Sequence, residues 1–244
     1  NITAIDPPSI DSISATPDTI CSGGSSVLFV SWPPVFANAF AEPFESFPVS
    51  SFATTGSGVT WAGNTTYYAQ GAASARATYI DGADGSLAMT AGISLVGLTN
   101  PQLKFSHICA TESSFDYGII EYSTDGGATW LGFPSTAYAG APSALESDIL
   151  PSIGFDANSY TDWAAQFTSS SSVYPAGPAT SLWKAETINL SAYSSATNFR
   201  VRFRLTSDGS AIYAGWSIDD VKISYDAPPT ITALWDNGAG SGAS

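Results

Sequence analysis

Basic residues are scarce in this sequence. Its 244 residues include 7 Lys and Arg against 21 Asp and Glu, which gives a formal net charge of −14. Phosphate backbones are bound by clustered Lys and Arg, so a general nucleic-acid partner is excluded and adsorption to anionic lipid is disfavoured. No apolar run is long enough to cross a bilayer, so membrane insertion is not expected either. Such an acidic surface attracts cations, and Ca²⁺ is the abundant hard cation outside cells.

Histidine is almost missing, and with it the usual general base. His107 is the single histidine, and no Gly-x-Ser-x-Gly, His-Glu-x-x-His or phosphate-loop motif occurs. A catalytic triad needs a base beside a nucleophile and an orienting acid, and nothing around His107 supplies them. We therefore expect a structural histidine and a protein that is not an enzyme.

Aromatic residues are abundant instead, with 13 Phe, 11 Tyr and 7 Trp. Runs of Ser, Thr, Gly and Ala separate the hydrophobic stretches, while Glu, Lys, Gln and Met are few. This balance favours many short strands joined by turns over helices. The composition predicts an all-β protein.

The order of these stretches divides the chain into three predicted parts. Residues 1–36 form an N-terminal β arm, residues 37–226 the body, and residues 227–244 a C-terminal tail or linker. Residues 12–25 resemble the opening strands of bacterial immunoglobulin-like repeats, and residues 25–32 read as a strand that Pro33 and Pro34 stop. The arm is thus expected to carry strands without enough partners of their own.

Within the body, residues 198–205 alternate most regularly. Phe199, Val201, Phe203 and Leu205 are predicted to point inward, with the three intervening arginines outward. Strands are also predicted at residues 101–109, 117–123 and 128–133, the last two joined by a turn at 124–127, and a final pair within 212–225. A helical turn or two is expected at residues 142–150. Strands this short and numerous predict a two-sheet antiparallel sandwich.

The order of motifs in the body resembles one family. It is similar to the MAM-like, concanavalin-like jelly rolls of secreted bacterial surface proteins, of the type attached to immune-inhibitor-type peptidases and anchored adhesins. The motifs that carry the resemblance are Phe44-Glu45-Ser46-Phe47-Pro48, Trp61, residues 71–75, 93–98, 101–105 and 122–130, Trp183, residues 188–193, and Gly215-Trp216-Ser217-Ile218-Asp219-Asp220. The resemblance implies a jelly-roll sandwich that acts outside the cell.

A calcium site is the sharpest feature that the resemblance implies. Jelly rolls of this kind often join their first and last strands through Ca²⁺, and the corresponding residues here are Glu45, Asp219 and Asp220. Neighbouring strand residues point to opposite faces, so only one of Asp219 and Asp220 is expected to face a given partner. Backbone carbonyls would complete the six to eight oxygen ligands. The alternative is that both aspartates are solvated or bonded to backbone amides.

The two cysteines, Cys21 and Cys109, are predicted to form a disulfide that ties the arm to the body, as an extracellular composition favours. Two buried free thiols, or a bridge to a neighbouring molecule, are the alternatives.

An aromatic-rich loop at residues 156–163 suggests a sugar-binding surface. Exposed aromatic rings beside Asp and Asn are typical of such surfaces, so Tyr160, Trp163 and the downstream Tyr174 are candidate carbohydrate-binding residues. The alternative is that these rings belong to the core and the loop is merely polar.

Three functions are compatible with these patterns. The leading hypothesis is an extracellular structural or adhesive module, a subunit of a surface filament or large adhesin that self-associates by donating its arm strand to a neighbour. The second is a carbohydrate-binding module with a glycan as partner. The third is an accessory domain of a secreted enzyme.

Overall fold

A computed structural model describes residues 12–16, 27–31, 35–144, 153–174 and 181–227 of the chain. The chain divides into two compact units, one made of residues 1–37 and 226–244 and the other of Asn38–Tyr225. The described residues are mostly antiparallel strands with little helix, which confirms the all-β prediction. No helix among the described residues is long and apolar enough to cross a membrane.

The described strands vary greatly in length, from two residues to sixteen. They are β1 Ser12–Thr16, β2 Val27–Ser31, β3 Val35–Glu42, β4 Phe52–Asn64, β5 Ser74–Met89, β6 Thr99–Ala110, β7 Tyr117–Ser123, β8 Leu131–Gly132, β9 Ser143–Ala144, β10 Ile153–Gly154, β11 Lys184–Asn189, β12 Arg200–Thr206 and β13 Gly215–Ala227. One α-helix, α1, spans Thr161–Gln166.

Hydrogen bonds join the strands of the body in the order β11–β6–β13–β5–β12–β7–β8, with β3 added to β13 and β4 to β5. The long pair β4 and β5 connects two layers. Residues 75–77 of β5 pair with β13, whereas residues 84–88 pair with β12. Each layer therefore contains one half of β5, and the sandwich is built around this pair.

The β4–β5 pair bends where its register shifts, between Ser57 and Val59. Gly56 and Gly58 there have φ values of +88° and +75°, which favour glycine. A Cβ on Gly56 would lie 2.1 Å from the Asp84 carbonyl oxygen, so a side chain does not fit. The bulge lets each strand turn from one layer into the other.

The core lies between the layers and is rich in aromatic rings. In β12 the predicted alternation is confirmed, because Val201, Phe203 and Leu205 are buried while the arginines are half-buried. Phe203 packs edge-on against Phe105 of β6 at a centroid distance of 5.4 Å and against Trp216 of β13 at 5.8 Å. These contacts join strands of opposite layers.

The arm unit contains an antiparallel pair, β1 with β2, in which Ser12 lies opposite Ser31 and Thr16 opposite Val27. The strand predicted at residues 25–32 is therefore partnered by β1 within the arm. The backbone groups along one edge of each strand are therefore hydrogen-bonded within the pair.

Three further local predictions differ from the structure. Ser143–Ala144 is a strand paired with Ile153–Gly154 rather than helix, and residues 145–152 lie outside the described residues. The helix occurs instead in Thr161–Gln166, within the predicted loop. The predicted pair in residues 212–225 is one continuous strand, Gly215–Ala227.

Candidate functional site

An open groove of about 390 Å³ lies on the body where β4, β5 and β12 meet the turn after β7. We call it the Trp130 groove. It is lined by Ala53, Thr55, Ala88, Met89, Thr90, Gly126, Gly127, Trp130, Arg200 and Arg202. The groove thus combines an indole ring, two guanidinium groups, threonines and glycine backbone, and its volume lies in the range of small-ligand sites.

The turn before Trp130 is held by Asp125. Its Oδ1 accepts a hydrogen bond from the Thr129 amide at 2.9 Å, and its Oδ2 accepts one from the Thr129 hydroxyl at 2.6 Å. These bonds, with a further one from Ser123, hold the pKa of Asp125 well below its usual value. Gly126 and Gly127 follow with φ values of +77° and +96°. The turn is therefore a fixed platform for Trp130.

Trp130 contacts the guanidinium of Arg202, which lies 4.7 Å from the indole ring centroid. The Nε of Arg202 also donates to Glu121 at 2.5 Å, and Glu121 is buried. A cation–π contact and an ion pair thus fix Arg202 beside the ring. The half-buried Trp130 and the neighbouring arginines form a rigid polar and aromatic wall.

This groove is not among the sites predicted from the sequence. The sequence predicts that Trp130 lies in the return strand of a hairpin and that the arginines of β12 point outward. The strand after the turn is short, Leu131–Gly132, so Trp130 lies at its entrance rather than within it. A usable signal was the row of alternate arginines, since three of the seven basic residues occur in five positions.

The aromatic loop does not form the predicted sugar-binding surface. Trp163 is 0% exposed and Tyr174 is 3% exposed, so the exposed sugar-binding surface is wrong for these two rings, and the alternative, that they belong to the core, is confirmed. The Trp163 indole donates to the Leu182 carbonyl at 2.6 Å, and the Tyr174 hydroxyl lies 2.9 Å from the Gly215 carbonyl oxygen. Tyr160 is half-buried and packs on Trp163 at 4.6 Å. Of the three, only Trp163 lies within α1, and it is the buried residue of that helix.

Tyr160 and Trp163 pack against a buried polar pair, His107 and Glu186. The Glu186 carboxylate accepts hydrogen bonds from the amides of Ala139 and Gly140, at 2.6 and 3.0 Å, and from the Tyr160 hydroxyl at 2.5 Å. Burial alone would raise the pKa of Glu186, but its interactions with His107, Tyr160 and the Ala139 amide outweigh burial and lower it.

His107 itself is fully buried. Its Nδ1 accepts the Trp216 indole N–H at 3.3 Å, and its Nε2 lies 3.9 Å from Glu186, too far for a hydrogen bond. Burial lowers the pKa of His107, and Glu186 opposes this only in part. No nucleophile or cleft accompanies the pair among the contacts described, and its geometry is that of a structural network.

Two of the three predicted calcium ligands, Asp219 and Glu45, meet at one loop, residues 69–72. Asp219 is 0% exposed, and its Oδ2 accepts hydrogen bonds from the amides of Ala69 and Gln70 at 2.7 and 3.0 Å. Its Oδ1 is buried without a described partner, and burial raises the pKa of Asp219 to about 6. Glu45 Oε2 accepts a bond from the Ala72 amide at 2.8 Å. Both carboxylates therefore hold the same loop.

Asp220 points elsewhere, and its Oδ2 pairs with the Lys222 ammonium at 2.7 Å. This agrees with the expectation that only one of the two adjacent aspartates faces a given partner. The orphaned oxygen of Asp219 fits a hard cation, whereas Asp220 is already neutralised.

Cys109 is a free, fully buried thiol rather than half of a disulfide. Its Sγ donates to the Phe155 carbonyl at 3.2 Å, and it packs so closely on Gly118 that a Cβ there would lie 3.0 Å from the sulfur. Burial raises the pKa of this thiol. Cys21 lies outside the described residues.

An acidic cluster that the sequence analysis missed joins Glu112, Asp116 and Asp208, whose nearest carboxylate oxygens all lie within 4.8 Å. Asp116 accepts hydrogen bonds from the Tyr79 hydroxyl at 2.8 Å and the Asp208 amide at 2.9 Å. Burial raises the pKa of Asp116 to about 6. Asp208 is 92 residues from Asp116 in the chain, so no local spacing reveals the cluster.

A second depression, of about 640 Å³, lies along β4. Its lining includes Phe47, Phe52, Thr54 and Trp61, and the Trp61 indole N–H is buried without a described partner. None of its lining residues is charged, whereas two arginines line the Trp130 groove.

The geometry is that of an antiparallel β-sandwich module with an open groove. Residues 62–224 match the family Reelin subrepeat B, and the chain belongs to this family. The match supports a β-sandwich domain without specifying the MAM-like group that the motifs resemble. Comparison with proteins of curated function gives no match.

Solved structures with a similar chain path include two adhesin domains of Lys-gingipain. The K2 domain is 14% identical, with a TM-score of 0.44 over 75% of this chain and 98% of that one. The K3 domain, from Porphyromonas gingivalis, is 17% identical, with a TM-score of 0.43 over 78% and 99%. The module TmCBM61, in complex with β-1,4-galactotriose, is 11% identical, with a TM-score of 0.41 over 76% and 94%.

Proposed function

We propose that this protein is a non-catalytic, extracellular glycan-binding module that uses the Trp130 groove. The observation that carries the proposal is the rigid wall of Trp130 and Arg202 beside an open groove. Sugar rings present apolar C–H faces and a rim of hydroxyl groups, so they match a surface that offers both an aromatic ring and hydrogen-bonding side chains.

The polar lining of the groove supports the same function. Thr55 and Thr90 bring hydroxyl groups, and the Gly126–Gly127 turn brings backbone close to any bound molecule. Both threonines are exposed; the Thr90 hydroxyl donates to the Ser50 carbonyl at 2.8 Å and keeps its acceptor capacity for a ligand, and no hydrogen bond of the Thr55 hydroxyl is described. The site is shallow and preformed, which suits a segment of a longer polysaccharide.

Isothermal titration against a panel of neutral and acidic oligosaccharides tests the proposal. Trp130→Ala is expected to weaken binding at least tenfold, because truncating an aromatic anchor typically removes more than about 1.4 kcal/mol of binding free energy. The matched control is Trp183→Ala, a half-buried tryptophan that does not line the groove. No binding across the panel, or equal losses in both variants, would contradict the proposal.

A second candidate function is self-association into a surface adhesin or filament by β-strand addition. It is favoured by β4, which spans 13 residues, pairs only with β5 among the described strands, and contains no charged residue or proline. Natural edge strands are usually protected by such residues, so a bare edge is suited to accepting a strand, such as one from the arm of another copy.

Sedimentation velocity across a concentration series tests this second function. Thr54→Lys places a charge at an exposed position of β4 and is expected to reduce any assembly. A protein that stays monomeric at every concentration would remove the hypothesis.

We further propose Ca²⁺ as a structural ion. Asp219 would supply its orphaned Oδ1, with Glu45 and carbonyls of the 69–72 loop as further oxygen ligands. The ion would neutralise a buried carboxylate and strengthen the join between the start and end of the body.

A further inference from the structure

The basic residues of β12 differ in how they are neutralised. Arg204 forms a two-pronged pair with Asp84, with both N–O distances at 2.7 Å, and Arg202 pairs with Glu121. Glu121 also lies 3.9 Å from Arg204. The two acidic residues are therefore engaged with Arg202 and Arg204, and neither pairs with Arg200.

Arg200 has no ion pair or hydrogen bond from its guanidinium to any residue in the described part of the chain. Its Nε is buried and without a partner. A buried donor of a charged group is costly unless something accepts from it. Arg76 also lacks a carboxylate partner among the described residues, but it donates to the Ala214 carbonyl at 2.7 Å and lies over the Tyr174 ring, whereas no such contact is described for the Arg200 guanidinium.

The buried Nε does not meet a ligand directly, but the Nη1 end of the same guanidinium lies beside Gly127 at the Trp130 groove. Arg200 lines the groove together with Trp130, and a Cβ on Gly127 would lie 3.7 Å from Arg200 Nη1 and 3.4 Å from the Trp130 ring. The guanidinium and the indole therefore flank the same glycine of the turn. A ligand that touches Trp130 is within reach of Arg200.

On the basis of the glycan-binding function above, we infer that the groove selects an acidic sugar whose anionic group binds Arg200. The chemistry is a carboxylate or a sulfate ester on the sugar ring. The guanidinium carries five N–H donors and no acceptor, and a carboxylate or sulfate receives two of them at once. A neutral sugar offers only single hydroxyl acceptors and leaves the charge uncompensated.

The net charge of the protein does not oppose this selection at physiological salt. At about 0.15 M ionic strength, charges more than roughly 8 Å apart are largely screened, so the local cation decides binding of a short oligosaccharide. A long polyanion would experience more of the surrounding negative surface. Short probes are therefore the sharper test.

The experiment is isothermal titration in 0.15 M NaCl at pH 7 with two matched pairs of probes. Trigalacturonate is compared with its methyl ester, and a sulfated galactan oligosaccharide with its desulfated form. The variants are Arg200→Gln and Arg200→Lys, with Lys184→Gln as a control that removes one positive charge outside the groove. Near-ultraviolet circular dichroism checks that each variant is folded.

We expect the wild type to bind at least one anionic probe ten times or more tightly than its neutral partner. Arg200→Gln should abolish this preference. Arg200→Lys should keep part of it, since an ammonium retains the charge but does not offer the planar pair of N–H donors of a guanidinium. Lys184→Gln should stay within twofold of the wild type. Preference for trigalacturonate assigns the anion to a carboxylate, and preference for the sulfated galactan assigns it to a sulfate.

Two results would overturn the inference, and they are distinguishable. Equal affinity for the anionic and neutral probes, unchanged by Arg200→Gln, would remove the acidic sugar and leave the glycan-binding function in place. Absence of binding to every anionic and neutral probe would remove both. A preference that survives Arg200→Gln in the folded variant would also contradict the role of Arg200.

Discussion

Replacing the buried Glu186 with Gln tests how the body is held together. The carboxylate accepts from the Ala139 amide, the Gly140 amide and the Tyr160 hydroxyl. Glutamine has the same shape but replaces one acceptor oxygen with an NH₂ donor, so at least one buried donor then faces another. An unsatisfied buried group costs about 1–3 kcal/mol, and the remaining bonds lose their charge assistance.

We therefore expect Glu186→Gln to lower the free energy of unfolding by about 3 kcal/mol. For a domain of this size each kcal/mol shifts Tm by about 2–4 °C, so Tm should fall by roughly 6–12 °C. Urea unfolding at pH 7, followed by tryptophan fluorescence, measures the change. A variant that is folded and within about 0.5 kcal/mol of the wild type would refute the reasoning.

The control is Asp162→Asn in α1, because it removes one acidic charge from a neighbouring but exposed site. Asp162 is 37% exposed and pairs with Lys184. Pairs of this kind contribute about 0–1 kcal/mol, so the control should remain close to the wild type.

The pH dependence adds a second test of Glu186. Its folded pKa is lowered, so its contribution is present above the unfolded pKa near 4.5 and is lost as pH falls through the folded value. The gap between wild type and Glu186→Gln should shrink on acidification below about pH 4.5. The folded pKa values of Asp116 and Asp219 are raised to about 6, so their contributions to stability change with pH in the opposite direction. Both residues are present in the wild type and in the variant, so their contributions cancel in the difference. A gap independent of pH would show that the carboxylate charge does not matter.

Two further predictions concern the cation site and the core. Addition of Ca²⁺ is expected to stabilise the folded state by RT ln(1 + [L]/Kd) and so to raise Tm relative to a chelator, and Asp219→Asn should abolish the rise; equal Tm values in calcium and chelator would argue against the ion. Gly118→Ala should destabilise the body by about 1–3 kcal/mol in urea unfolding, because a Cβ there would lie 2.8 Å from the Trp216 ring; an unchanged midpoint would mean that the ring moves aside freely.

Features that depend on local periodicity could be predicted from the sequence. The inward set of β12 and the strand at β6 follow from alternation, which a half-buried strand imposes along its own length. The hairpin after β7 follows from its Asp-Gly-Gly turn, where positive φ values require glycine. The orientation of Asp219 and Asp220 to different partners follows from the same alternation.

Features that depend on distant parts of the chain could not be predicted. Trp163 and Tyr174 are candidate sugar-binding residues by sequence, with a core location as the alternative, and only tertiary packing decides that their rings point inward. The Trp130 groove combines residues of β4, β5 and β12 with a turn, and the alternate arginines of β12 signal only one part of that assembly. The meeting of Asp219 and Glu45 at the 69–72 loop also depends on distant parts of the chain. Only the family resemblance predicted that these two residues share a site.

Mapping the bound glycan by nuclear magnetic resonance tests the central claim most directly. The oligosaccharide that binds most tightly in calorimetry would be titrated into ¹⁵N-labelled protein while amide and indole N–H shifts are followed. Binding in the groove predicts that the resonances of the Trp130 indole N–H and of the Gly126 and Gly127 amides change first and by the largest amount. The resonance of the Trp61 indole N–H is expected to stay unchanged. Shifts concentrated at Trp61, or at the 69–72 loop, with Trp130 unmoved, would contradict the account.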